Sequence, residues 1–296
     1  MDILRSILPV LMALGVSLMI DAQMRRRGLL PPNFRAVAAA GESVARRVAF
    51  LRTAAITLLA LVFWLGVFAP IGQADDGTAP LPTELAVPDR FALHVVLVVT
   101  LALWYLLAFG GAPGATTRWV SQFGLGGDGI AREIGIGVVA GIAGWFAVIG
   151  LLLLVALVVY LLGGEEALPA QPPPVITLVV ALPIAVRVGL SLSAGIVEEL
   201  FFRGFLQPRC GVALSTILFV LAHLSYEQPF LLIGVSLLSV LFAALVLWRQ
   251  NIWAAMTAHT VFDAIQLLFV IPNAIRILER EEEGLVASVL VVLSRL

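Results

Sequence analysis

Five polar side chains in apolar surroundings are the residues of this chain best suited to chemistry. The adjacent carboxylates Glu198 and Glu199, then His223, then the pair His259 and Asp263 each interrupt a hydrophobic run. Carboxylates and imidazoles are the groups that exchange protons near neutral pH. A charged side chain at the centre of a bilayer costs roughly 2.5–3.5 kcal/mol, so an ionisable cluster there indicates a functional site. The pattern predicts proton-transfer or metal chemistry inside a membrane.

The two adjacent carboxylates are expected to differ in their partners. Glu199 and Arg203 are four residues apart, the spacing at which a helix brings side chains together, and we interpret them as a structural ion pair that supports the site. Glu198 is five residues from Arg203 and points elsewhere. Because Glu198 lacks that partner, we predict a catalytic role for it.

The histidines differ in how strongly the sequence supports a role for each. His223 follows Phe219 by four residues, but a lone histidine on an apolar helix is more often a packing donor. His259 and Asp263 are also four apart, so Asp263 can accept a hydrogen bond from His259 and fix its tautomer. His94 has no such partner on its own segment, and we interpret it as structural.

The depth of these residues is consistent with a shared site. With Arg209 and Arg249 taken as lying near the inner membrane surface, a rise of about 1.5 Å per residue places Glu198 and His259 each about 15 Å deep. His223 comes out at about 20 Å by the same measure. The three side chains can therefore meet near the middle of the membrane.

The composition is that of a polytopic membrane protein. Of the 296 residues, 61% are hydrophobic and 12% are charged, about half the charge of a soluble protein. The net charge of -1 and the lack of a basic face argue against a nucleic-acid partner. The single cysteine excludes an internal disulfide and a thiolate metal cluster.

The apolar runs predict an all-α fold with about eight transmembrane helices. Arginine placement puts both termini outside, and Pro183 is expected to kink the fifth span or to end a short helix before it. The predicted spans are Ile3–Ile20, Ala54–Ile71, Phe91–Phe109, Ile134–Leu162, Val175–Leu206, Val212–Tyr226, Phe230–Leu247 and Ile252–Ile271. The fourth carries glycines that allow close helix contact, namely Gly135, Gly137, Gly141 and Gly144.

The motifs resemble those of one known family. The chain is similar to the CPBP family, the CAAX-processing and bacteriocin-processing (Abi) intramembrane endopeptidases, over roughly Val175 to Ile271. The motifs, in chain order, are Glu198-Glu199-x-x-x-Arg203, Phe219-x-x-x-His223 and His259-x-x-x-Asp263. The resemblance implies a four-helix catalytic core near the C-terminus.

The resemblance also implies a role for each motif residue. Glu198 would act with His223 to activate a water for attack on a peptide carbonyl. His259 and Asp263 would polarise that carbonyl and stabilise the oxyanion. The last position is often Asn in the family, so the charge of Asp263 must be paired, for example by His259, or removed by protonation.

The chain is accordingly divided into three parts. Residues 1–170 hold the N-terminal transmembrane helices, with a cytoplasmic segment, Gly28–Arg52, interpreted as a loop and an amphipathic helix on anionic lipid or as a solvated basic connector. Residues 175–272 form the CPBP-like core, and 273–296 form a charged tail. Residues 285–293 within this tail are apolar but too short to span a membrane.

The sequence leaves two alternatives open, an enzyme that needs a metal ion and one that does not. His223, His259 and Glu198 could together hold zinc with an open position for water. The single-helix HExxH signature is absent, so such a site must be assembled across helices. We favour a glutamate-type enzyme without a cofactor and keep zinc as the alternative.

The predicted function is intramembrane peptide hydrolysis, with two competing functions. The alternatives are a proton-coupled transporter, since buried acids and histidines also relay protons, and a non-catalytic membrane scaffold or immunity protein. The expected partners are membrane lipids and a membrane-associated peptide or lipidated protein. We expect an integral protein of a prokaryotic plasma membrane, with access to the site from the cytoplasmic side.

Overall fold

A computed structural model describes residues 2–30, 42–68, 87–109, 115–168, 174–224 and 229–279, and these are helical without any strand. Six helices in this part of the chain are long and apolar enough to cross a membrane: Ile7–Arg26, Glu42–Phe68, Phe91–Ala108, Ile130–Gly163, Phe230–Arg249 and Trp253–Arg276. The all-α membrane fold is therefore confirmed, while the count of eight spans stays a prediction.

The N-terminal helices are longer than expected. They are α1 (Asp2–Arg26), α2 (Glu42–Phe63, continued as a π-helix to Phe68), α3 (Val87–Phe109) and the short α4 (Ala115–Gln122). Residues 42–52 form the first turns of α2 and not a separate interfacial helix, which corrects that part of the expectation. Arg52 bonds Asp21 of α1 at 2.8 Å, so its charge is neutralised within the bundle. The rest of the predicted connector, 31–41, lies outside the described residues.

The described residues from 130 onward contain eight further α-helices. They are α5 (Ile130–Gly163), α6 (Pro174–Ala181), α7 (Ile184–Ser193), α8 (Gln207–Cys210), α9 (Val212–Leu221), α10 (Pro229–Arg249), α11 (Trp253–Ile265) and α12 (Ile271–Glu279). The predicted residues 285–293 lie outside the described part.

The fifth predicted span is broken at Pro183. Helix α6 ends at Ala181 and α7 begins at Ile184, because proline has no N–H and its ring clashes with the preceding turn. Helix α7 then continues through two π-helical segments, Ala194–Glu198 and Leu200–Leu206, into α8. We call residues 184–210 the motif helix, since both carboxylates lie on it.

The sixth predicted span is shorter in the structure. Helix α9 has 10 residues, or about 15 Å, against a hydrocarbon core of about 30 Å. The predicted end at Tyr226 lies outside the described residues. Helix α9 therefore does not cross a bilayer by itself.

Glycines of α5 bring this helix against α10 and α11. A Cβ placed on Gly141 would lie 2.6 Å from the carbonyl oxygen of Ala258, and Gly137 meets the α11 backbone equally closely. Gly144 faces Leu241 of α10. Gly135 has no neighbour within 4 Å, so the expectation of close contact was wrong at that position alone.

The motif helix lies between the N-terminal helices and α11. A Cβ on Gly195 would lie 2.8 Å from the carbonyl oxygen of Met256 and would overlap the side chain of Thr260, so the two backbones touch. On another face, Phe201 packs edge-on against Phe63 of α2 at 6.1 Å between ring centroids. The helix is therefore held from two sides, which fixes the directions of Glu198 and Glu199.

Candidate active site

Glu199 is the centre of a fully buried ionic cluster. Its Oε1 accepts hydrogen bonds from Arg203 Nη1 and from His259 Nδ1, each at 3.0 Å. Arg203 also donates to the carbonyl and hydroxyl oxygens of Ser239 on α10 at 3.2 and 3.0 Å. The side chains of Glu199 and Arg203 are 0% and 1% exposed. The predicted ion pair is thus present, and it also joins the motif helix to α10 and α11.

Glu199 sets the tautomer of His259, whereas the sequence predicts that Asp263 does so. An ionised carboxylate only accepts hydrogen bonds, so the Nδ1 that faces Glu199 carries a proton. Asp263 Oδ2 lies 3.6 Å from Nε2, beyond hydrogen-bond distance. The ring stacks on Phe242 at 4.9 Å between centroids, which holds Nδ1 toward the motif helix. The i, i+4 spacing correctly predicts that Asp263 lies near His259. The acceptor closer to the His259 ring, however, is Glu199, which lies on another helix.

Glu198 lies between two imidazoles from different helices. Its Oε1 is 3.3 Å from His94 Nε2, and its Oε2 is 3.9 Å from His223 Nε2. Oε2 is buried and has no hydrogen-bond partner among the described residues. The side chain is 16% exposed, in contrast to that of Glu199. Glu198 therefore has neighbours that can exchange protons and an oxygen that can accept one.

His223 presents an unprotonated nitrogen to Glu198 when its ring is neutral. It lies in the turn just after α9 and not within a span. Its Nδ1 is 2.7 Å from the carbonyl oxygen of Phe219. Since a carbonyl only accepts, Nδ1 carries the proton and Nε2 has the lone pair. The Phe219 ring also lies 4.2 Å beneath the Arg203 guanidinium, which connects the two parts of the site.

His94 is the functional candidate that the sequence analysis missed. The sequence predicts a structural role for it, because it has no partner on its own segment. Its partners lie on the motif helix: Nδ1 is 2.9 Å from Ser193 Oγ, and Nε2 faces Glu198. The available signal was that all three histidines of the chain fall in apolar segments.

The zinc alternative requires Glu198, His223 and His259 as a common donor set, and the described residues do not place them as one. Among the described residues there is no group of three or more His, Cys, Asp or Glu side chains placed to hold a metal ion. His223 lies beside Glu198, whereas His259 is turned to Glu199 and Asp263. The arrangement does not fit a zinc site made of Glu198, His223 and His259, and we derive no step through a metal.

A family match covers the part of the chain that includes the motif helix and α11. Residues 180–265 match the family described as type II CAAX prenyl endopeptidase Rce1-like. The similarity to the CAAX-processing family is therefore confirmed for the part of the chain that holds all of the motif residues. His94 and the N-terminal helices lie outside the match.

One curated relative is found in Bacillus subtilis (strain 168). The chain is 35% identical over 77 residues to a protein named uncharacterized protein YpbD. The match covers 26% of this chain and 41% of YpbD, so the chain spans about two fifths of that relative. No solved structure gives a significant match.

Proposed function

We propose that this chain is an intramembrane endopeptidase of the glutamate type, in which Glu198 activates a water for peptide hydrolysis. The observation that carries the proposal is the pair formed by Glu198 Oε2 and His223 Nε2, two acceptors 3.9 Å apart. One water can donate a hydrogen bond to each across such a distance. Hydrolysis needs a base within hydrogen-bond reach of the proton it removes.

In the first step the water oxygen forms a bond to the carbonyl carbon of the substrate, and its proton passes to Glu198. His223 Nε2 orients the water by accepting its second hydrogen. When the C–N bond breaks, the proton returns from Glu198 to the leaving amine. His94 holds the other oxygen of Glu198, so that Oε2 keeps its direction toward His223.

His259 is suited to stabilise the oxyanion. With Nδ1–H bonded to Glu199, its Nε2 can donate a hydrogen bond only in the imidazolium form. Donors fixed where charge develops act strongly in water-poor sites. Asp263 lies beside the same nitrogen, and it can donate to the oxyanion only when it is protonated.

The substrate class and the direction of access are part of the proposal. A site within apolar helices favours a membrane-associated peptide or a lipidated protein. Arginines concentrate at the end of the bundle where α1 and α10 finish, namely at Arg25, Arg26 and Arg249. The positive-inside rule makes that end cytoplasmic.

The test is a comparison of Glu198→Gln with Glu166→Gln, the same chemical change at an exposed position after α5. Each purified full chain, in lipid nanodiscs, is incubated with solubilised membrane proteins and with a prenylated C-terminal peptide. New termini are identified by mass spectrometry. We expect Glu198→Gln to lower cleavage by about 10²–10⁴-fold with an unchanged melting temperature.

Other outcomes separate the alternatives. Cleavage by the Glu198→Gln variant at the wild-type rate would contradict the proposal. If this variant unfolds and no cleavage is ever seen, a scaffold is indicated. Proton-coupled uptake of a solute into proteoliposomes, lost in the variant, would indicate a transporter. Stoichiometric zinc in the purified protein, with cleavage lost on chelation and restored by zinc, would overturn the metal-free form.

A further inference from the structure

A second polar region lies at the arginine-rich end of the bundle, separate from Glu198 and His223. It is a cavity of about 850 Å³ between the ends of α1 and α10 and the beginnings of α9 and α11. Its volume falls within the range of about 300–1,000 Å³ that holds small ligands. The polar residues that line it are Arg27, Ser121, Gln122, Arg203, Gln207, Arg209, Gln250 and Asn251.

The charged side chains in the described lining are all positive. The lining includes three arginines, Arg27, Arg203 and Arg209, and no Asp or Glu among the described residues. The charge of Arg203 is neutralised by Glu199 in the site described above. Arg27 and Arg209 therefore line the cavity without a carboxylate beside them in the described part of its wall. Such a lining favours an anionic occupant.

Arg209 is a buried cation whose hydrogen bonds go to neutral acceptors. It is 4% exposed, and it donates to the carbonyl oxygen of Phe205 at 2.8 Å and to Gln122 Oε1 at 3.2 Å. The guanidinium lies against the rings of Phe205 and Trp104, at 4.4 and 4.9 Å from their centroids, and these two rings also contact each other edge-on. A buried charge without a counter-charge is costly. An anion bound nearby would lower that cost.

Two further groups define what kind of anion fits. Arg27 lines the cavity and is exposed, and its Nη2 lies 3.8 Å from the position that a Cβ on Gly211 would occupy. Gln207 is 6% exposed, and its Oε1 has no hydrogen-bond partner among the described residues. A ligand that combines a negative group with a hydroxyl can therefore satisfy both the arginines and this amide oxygen.

The position of the cavity along the membrane normal indicates a lipid ligand. Trp248 and Trp253 lie at the same end, as aromatic residues do at membrane interfaces. Basic pockets between transmembrane helices at a membrane surface bind anionic lipid headgroups. We propose that this cavity binds the phosphate group of an anionic phospholipid, with Arg27 and Arg209 as its cationic partners and Gln207 as an acceptor for a headgroup hydroxyl.

The test uses native mass spectrometry of the full chain in neutral detergent. The protein is titrated with dioleoyl phosphatidylglycerol and with dioleoyl phosphatidylcholine, in the wild type and in the Arg27→Gln and Arg26→Gln variants. Arg26 is the matched control because it is adjacent, exposed and outside the cavity lining. We expect tighter binding of the first phosphatidylglycerol, weakened about fivefold by Arg27→Gln and less than twofold by Arg26→Gln.

Equal weakening by the two variants would show binding to a general basic surface and would overturn the site. Equal retention of the two lipids by the wild type would overturn it as well.

Separate titrations with inorganic phosphate and glycerol 3-phosphate distinguish the source of the phosphate. If neither compound displaces the lipid, the result supports a lipid ligand. Binding of inorganic phosphate that depends on Arg27, without a preference for phosphatidylglycerol, would overturn the lipid assignment. No cleavage is measured, so the outcome does not depend on the proposed peptidase activity.

Discussion

Glu198 and Glu199 are neighbours in the chain with the same functional group and opposite surroundings. Glu199 is completely buried and accepts hydrogen bonds from the permanent cation of Arg203 and from His259. Glu198 is partly exposed, and the charged or ionisable side chains nearest to it in the described residues are imidazoles. Arginine does not release its proton in proteins, whereas histidine does so near neutral pH. The difference indicates an anchor at one position and a proton acceptor at the next.

The geometry of the motif helix separates the two carboxylates. Successive residues of a helix point about 100° apart, so Glu198 and Glu199 face different neighbours. Glu198 closes the first π-helical segment, and Glu199 lies between that segment and the second. π-Helical turns inside α-helices occur frequently at functional sites. Substitutions at these positions test whether the two carboxylates have different roles.

The largest expected effect is on stability, and it belongs to Glu199. Glu199→Ala leaves Arg203 buried without its carboxylate, and breaking a buried pair costs about 3–5 kcal/mol. Glu198→Ala at the adjacent position removes no such counter-charge, and we expect it to cost less than about 1 kcal/mol. Thermal unfolding of both variants in one detergent measures the difference. Equal losses of stability would remove the distinction between anchor and proton acceptor.

An intermediate effect is expected on activity when His94 is replaced. His94→Ala frees Glu198 Oε1, and we expect kcat to fall about tenfold, as for a 1.4 kcal/mol loss in the transition state, with KM unchanged. His94→Gln places an amide nitrogen near the position of Nε2 and should restore part of that loss. Steady-state cleavage assays of the two variants give the measurement. A lower melting temperature with unchanged kcat would instead make His94 a packing residue.

The smallest effect at neutral pH is expected for Asp263→Asn. Asparagine keeps the shape and always donates a hydrogen bond, whereas Asp263 donates only when protonated. We therefore expect a rate within about threefold of the wild type at pH 7, which corresponds to about 0.65 kcal/mol and lies near the lower end of the contribution of about 0.5–1.5 kcal/mol made by a hydrogen bond. Wild-type activity that depends on the protonated carboxyl is present at low pH and is lost as the pH rises. The pH–rate profile of the variant should lack that fall, and an identical fall in both proteins would remove Asp263 from the oxyanion site.

Several features could be predicted because they depend on spacing along one helix. The contact of Glu199 with Arg203, the break at Pro183 and the close approach of Gly137 and Gly141 all follow from local geometry. The expectation failed at Gly135, since a glycine pattern does not tell which face of a helix meets a neighbour.

The sequence by itself determined the membrane class, the motif residues and the family they resemble, because composition and i, i+4 spacing are properties of single segments. Only the tertiary structure decided that His94 meets Glu198, 104 residues later, and that Glu199 is the partner of His259, 60 residues away. The physical reason is that partners on different helices are chosen by how the helices pack, here through Gly195 and the aromatic faces of the bundle. Packing of this kind depends on the whole bundle and leaves no periodic signal in any one helix.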